Sequence, residues 1–176
     1  MKHTALSLCL AWALASGHAA ALDGYTVEIG GNDNVQSARI GMIRQWDKQW
    51  LTEGRWHLTG YWEAQMGLYD SDRPAGRRVA HLGFAPVLRL RPNALGGTQP
   101  YWDIAVALNL LSRTRLDDKH DFHGALQFAP LVGVGVTFGE KSQYDLGYRF
   151  QRISNEGFSD GDTGLNLHQV RLTYLY

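Results

Sequence analysis

From Tyr25 onward the chain alternates apolar and polar positions with a period of two, and it does so eight times. The third run is the longest clean example: Trp56, Leu58, Gly60, Trp62, Ala64, Met66 and Leu68 oppose His57, Thr59, Tyr61, Glu63 and Gln65. Such alternation is the signature of a β-strand with one apolar and one polar face. The other runs start near Tyr25, Ala38, Ala80, Trp102, Leu126, Tyr144 and Gln169, with Gly-, Asp- and Asn-rich turns or polar loops between them. Pro86 and Pro130 fall inside runs four and six. Each lacks a ladder donor, so a local bulge is expected at both.

Eight runs in a chain of 176 residues fit a small closed antiparallel barrel, because closure leaves no unpaired edge. Alternation does not say which face points inward. A lipocalin-like barrel would bury the apolar face, whereas an outer-membrane barrel would turn it to lipid and fill its narrow interior with Glu28, Arg39, Glu63, Arg89, Asp103, Asp145 and Arg149. The N-terminus favours the membrane version. Lys2 and His3, an apolar stretch from Ala5 to Ala15 and the small residues Ala19, Ala20 and Ala21 read as a secretory signal, cleaved after Ala20 or Ala21, which makes residues 1–21 a leader and 22–176 the barrel. The sole cysteine, Cys9, lies in that leader, so no disulfide, thiol nucleophile or cysteine metal site is expected. Abundant Trp and Tyr without a long apolar run also suit interfacial girdles. The polar connections after odd runs are read as outer loops, which puts both termini in the periplasm. A formal net charge of zero gives no reason to expect nucleic acid.

The last two runs hold the candidate chemistry. Arg152 and Ser154 share a face with Tyr144, Leu146, Tyr148 and Phe150, while Asn166 and His168 share a face with Val170, Leu172 and Tyr174. Four polar groups therefore meet at one end of an apolar surface, beside the turn-rich segment 155–164. No phosphate-binding glycine loop, zinc motif, glycosidase-like carboxylate pair or cofactor signature is present. His120 and His123 with Asp117, Asp118 and Asp121 have irregular spacing for a metal and read as a solvated outer loop.

The terminal segment Tyr148-Arg149-Phe150-Gln151-Arg152-Ile153-Ser154-Asn155-Glu156-Gly157, followed by Asp162-Thr163-Gly164-Leu165-Asn166, resembles the PagL family of outer-membrane lipid A 3-O-deacylases. Trp46-Asp47-Lys48, Leu58-Thr59-Gly60-Tyr61-Trp62-Glu63, Phe84-Ala85-Pro86-Val87 and Thr114-Arg115 resemble further family landmarks in order. The resemblance implies an eight-stranded transmembrane barrel in the outer membrane, with lipid A of the lipopolysaccharide outer leaflet as partner and a lipid-facing active site without a cofactor. It also implies hydrolysis of the ester at the 3 position by a serine nucleophile, a histidine base two residues earlier and an acid on the last strand. Ser154 matches the nucleophile, and Asn155 and Gly157 are placed to offer oxyanion donors. A homodimer is left open.

Two positions depart from that pattern. Arg152 stands where the histidine belongs and Asn166 where the acid belongs. A guanidinium stays protonated and cannot act as a base. His168 offers a substitute base with Asn166 orienting it, if the hairpin brings it diagonally to Ser154; its alternative reading is an interfacial histidine without chemistry. Arg152 reads either as a snorkelling side chain or as a clamp for a lipid A phosphate. The opposing function is a catalytically impaired relative that binds lipid or serves as a structural barrel.

Overall fold

The computed structural model describes residues 22–93, 97–122, 124–154 and 164–176. The expected leader 1–21, and with it Cys9, lies outside the described residues, as do His123, Asn155 and Gly157. Eight strands follow in order: β1 Gly24–Gly31, β2 Val35–Gln45, β3 Trp56–Ser71, β4 Arg78–Pro92, β5 Gln99–Leu111, β6 Leu126–Phe138, β7 Tyr144–Ile153 and β8 Leu165–Leu175. Each pairs antiparallel with the next, and β8 closes onto β1 with Tyr25 opposite Tyr174. The result is a closed eight-stranded barrel without an exposed edge.

Parity decides the facing. Val27, Ile29, Ile104, Val132 and Leu172 stand more than half exposed on the outside, whereas Glu63, Asp103, Asp145, Arg149 and Arg171 are sealed within. That is the inverse of a soluble barrel and matches a transmembrane one, in which lipid solvates the apolar face. The interior charges satisfy one another. Arg39 pairs with Glu28 at 2.7 Å, Arg89 with Asp103 and Asp145 at 2.8 and 2.6 Å, and Arg149 with Glu63 at 2.8 Å. Arg171 also reaches Glu63, at 3.3 Å, and the Tyr61 hydroxyl donates to Asp103 at 2.8 Å while accepting from Arg149.

Not all of the interior is ionic, as the alternation alone suggested. Around the strand ends farthest from the termini, Val35, Tyr69, Val79, Leu111, Ile153, Leu165 and Leu167 pack with the loop residues Leu116 and Phe122 into a buried apolar cluster. The lumen is thus closed by ions at one level and by hydrocarbon at another.

Aromatic residues collect at the terminus-bearing end. Tyr25 meets Tyr176, Tyr144 meets Tyr174, Trp56 meets Trp102, and Trp46 stacks edge-on against Trp62. Gly60 makes the last contact feasible, since a Cβ there would lie 2.4 Å from the Trp46 ring. Loop lengths follow the expected alternation only in part: the β1–β2 connection is a three-residue turn, while β2–β3 at the other end spans residues 46–55.

The expected bulges are absent. The β4–β5 register is the same on both sides of the unpaired positions 85 and 86, and the β5–β6 ladder runs through Pro130 opposite Val106. Pro130 instead interrupts the β6–β7 ladder between Leu131–Gln151 and the isolated Phe128–Ser154 bridge, with no residue inserted. A missing donor breaks a rung without shifting register when the proline side chain faces outward.

Candidate active site

The site is built on the outward face of β7, β8 and the first residues of β6. Ser154 lies just beyond β7 and is held by a backbone pair with Phe128: its amide donates to the Phe128 carbonyl at 3.0 Å and its carbonyl accepts from the Phe128 amide at 3.1 Å. The backbone of Ser154 is therefore fixed at the rim of the barrel end farthest from the termini, and the residue is partly exposed. Arg152 lies two residues below on the same face, about 7 Å along the strand.

Register sets Arg152 directly opposite Asn166. Hydrogen-bonding alternates along an antiparallel pair, and this rung is a non-bonded one in which side chains approach closely. Arg152 Nη1 donates to Asn166 Oδ1 at 3.3 Å. Gly164 has φ +57, and a Cβ there would come within 2.8 Å of Arg152 Nη2, so glycine both makes the turn and leaves room for the guanidinium. Arg152 and Asn166 are thus brought together, in the positions that the sequence paired.

His168 is not brought to Ser154. It stands opposite Phe150, four residues below Ser154, which is roughly 13 Å along the strand and beyond the combined reach of the two side chains. Its Nδ1 shares a 2.5 Å hydrogen bond with the Tyr148 hydroxyl, and its ring packs on Phe150 at 5.1 Å. The diagonal contact on which a substitute base depends does not form, because the register places His168 too deep. Among the described residues, no imidazole or carboxylate is hydrogen-bonded to the Ser154 side chain.

The loops at the end farthest from the termini hold a second polar cluster. Asp117 is fully buried and accepts from Ser71 Oγ at 2.6 Å, from the backbone amides of Lys119 and His120 at 2.9 and 2.7 Å, and engages His120 Nδ1 at 2.9 Å. Burial pushes its carboxyl up, but these hydrogen bonds outweigh that and hold it down at about 2. The order of groups, with the carboxylate between serine and histidine, leaves the serine facing an acid instead of a base, so the cluster is a loop staple tying β5–β6 to the end of β3. Among the described residues, no three His, Cys, Asp or Glu side chains form a metal-binding group.

Comparison with known proteins bears on what this barrel is. A family model described as lipid A 3-O-deacylase (PagL) matches residues 36–175. The chain is 28% identical over 169 residues to the lipid A deacylase PagL of Pseudomonas aeruginosa, covering 94% of each sequence. Its fold superposes on the crystal structure of the outer membrane enzyme PagL with a TM-score of 0.76 at 23% identity, over 87% of this chain and 99% of that one.

Proposed function

The chain belongs to the PagL family of lipid A deacylases, and from that membership we propose that it acts in the outer membrane on the ester-linked acyl chain at the 3 position of lipid A, with Ser154 as nucleophile. The observation that carries this reading is the position of Ser154: a residue whose backbone is pinned by the Phe128 bridge at the rim of a lipid-facing surface, with the Arg152–Asn166 pair just below it among the described residues. An ester entering from the outer leaflet meets the Ser154 hydroxyl without leaving the membrane. Asn155 and Gly157 supply the oxyanion donors in this proposal, and residues 1–21 serve as the leader that takes the chain out of the cytoplasm.

The chemistry at Arg152 differs from that of a serine–histidine–acid site. A protonated guanidinium cannot take the serine proton, but it binds a phosphate or the developing oxyanion. Turnover is therefore slow, by several orders of magnitude relative to a site that holds the histidine. A second reading, that the barrel retains lipid A binding without hydrolysis, is favoured by the Arg152–Asn166 pair and by the distance of His168 from Ser154. Mass spectrometry of lipid A from cells making the protein separates the two. Loss of one 3-linked hydroxyacyl group, abolished in Ser154→Ala, supports the enzyme; unchanged lipid A supports the binding barrel.

A further inference from the structure

The outward face of the barrel is not uniform around its circumference. Among the described residues, outward polar side chains on β1 to β5 sit only at strand ends, as with Gln36, Arg44, Asp70 and Arg78, or in the aromatic belt, as with Tyr25, Trp62 and Trp102. On β7 and β8 they descend in a continuous stripe: Ser154, then Arg152 beside Asn166, then His168 bonded to Tyr148. Tyr148 is 43% exposed on this outer surface, and the Nε2 of His168 has no hydrogen-bond partner among the described residues. A hydrogen-bonding group facing hydrocarbon is costly, and ionisable side chains at membrane depth mark functional surfaces.

The stripe changes the height of the apolar band. On β5 the outward positions from Trp102 to Ser112 hold only Ile104, Val106, Leu108 and Leu110 between them, whereas on β8 those from Tyr174 to His168 hold only Leu172 and Val170. At ~3.3 Å per residue and a ~40° tilt these stretches stand ~25 and ~15 Å tall, a difference of ~10 Å. A bilayer meets a short apolar face by thinning against it.

We infer that the β7–β8 face is a sunken seat for the polar part of one outer-leaflet glycolipid, with the Tyr148–His168 pair as its floor. This rests on the lipid A reading of the site and adds to it where the headgroup lies. The sugar and ester oxygens, not the alkyl chains, occupy the stripe, and His168 Nε2 or the Tyr148 hydroxyl bonds a hydroxyl or ester oxygen of that lipid. Ser154 and Arg152 then face the middle of the headgroup, and His168 and Tyr148 act as positioning residues that set how deep it settles.

The test is a membrane-depth measurement on folded full-length barrel in liposomes. A nitroxide is placed on Cys introduced at Val132, outward on β6 opposite Phe150, or at Val106 on β5 as the reference, and read by electron paramagnetic resonance with oxygen and a water-soluble nickel chelate. With lipid A in the bilayer, the label at 132 is expected to read ~10 Å closer to the headgroups than the label at 106. The Tyr148→Phe/His168→Leu variant, which still folds because both partners become apolar together, should bring the two readings level. Equal depths in the unsubstituted barrel overturn the seat, as does an offset that survives the double variant. The same offset in phosphatidylcholine alone overturns the glycolipid as its occupant. An unsubstituted barrel that shows the offset but leaves lipid A fully acylated sinks the enzyme reading and not the seat, whereas hydrolysis without the offset sinks the seat alone.

Discussion

Replacing Arg152 with histidine and Asn166 with glutamate should turn a slow site into a fast one, and the geometry says by how much. Residue 152 is two positions from Ser154 on one face, about 7 Å along the strand, within reach of an imidazole leaning toward a serine hydroxyl. Residue 166 lies directly opposite on a non-hydrogen-bonded rung, where Cα atoms come to about 4.5 Å, so a carboxylate there can hold the second ring nitrogen. A general base contributes ~10²–10⁴ in rate, and in serine proteases an orienting acid is worth up to ~10⁴, but the members of such a unit do not add independently. Arg152→His alone is expected to raise the rate ~10²-fold and the double variant ~10⁴-fold. Asn166→Glu alone should do nothing, because the new carboxylate pairs with the Arg152 guanidinium in place of the present 3.3 Å hydrogen bond. The assay is the initial rate of acyl release from lipid A in detergent, by mass spectrometry, with heat-modifiable migration on gels confirming folded barrels. A folded double variant no faster than Asn166→Glu would refute the assignment of these positions. So would a loss of activity in Arg152→His.

Further expectations follow from the interior, the loops and the leader. Glu63→Leu strips Arg149 and Arg171 of a shared carboxylate and should destabilise the barrel by ~3–5 kcal/mol, read as a lower urea midpoint for refolding into liposomes; an unchanged midpoint would contradict the ion network. Asp117→Asn should loosen the β5–β6 loop by ~1–2 kcal/mol and speed tryptic cleavage at Arg113, Arg115 and Lys119. Because the Asp117 carboxyl is held down at about 2, its contribution is present above about pH 4 and is lost as pH falls toward 2, which hydrogen exchange at the His120 amide would report. N-terminal sequencing of protein from outer membranes should begin at Ala21 or Leu22; a chain beginning at Met1 would remove the leader.

Strand number and the division of each strand into two faces were legible because the side-chain period of two is local information that survives without any knowledge of contacts, whereas the outward facing of the apolar side was read from the leader and the abundance of Trp and Tyr. The positions expected to charge the interior, from Glu28 to Arg149, point inward as a consequence of the same parity. What alternation does not carry is register between strands. Asn166 and Arg152 could be paired from sequence, yet His168 looked equally available until the β7–β8 pairing set it opposite Phe150 and beside Tyr148. The apolar cluster at the outer end was hidden for a related reason: Ile153, Leu165 and Leu167 share parity with Arg149 and Gln169, and only their height in the barrel separates them. Arg171 joined the ion network unannounced, and the Ser71–Asp117–His120 staple joins the end of β3 to the β5–β6 loop with no common motif. Pro86 and Pro130 showed that a missing donor does not by itself require an inserted residue.

The inside-out arrangement can be read position by position, since the described barrel contains no cysteine to interfere. Single cysteines carried from residue 102 to 111 along β5, each bearing a nitroxide in a lipid bilayer, should show oxygen accessibility that oscillates with a period of two, high at Trp102, Ile104, Val106, Leu108 and Leu110 and low at Asp103, Ala105, Ala107 and Asn109. High accessibility at the odd positions, or no oscillation at all, would mean that the apolar faces do not look into lipid and that Ser154 does not stand at the edge of the outer leaflet.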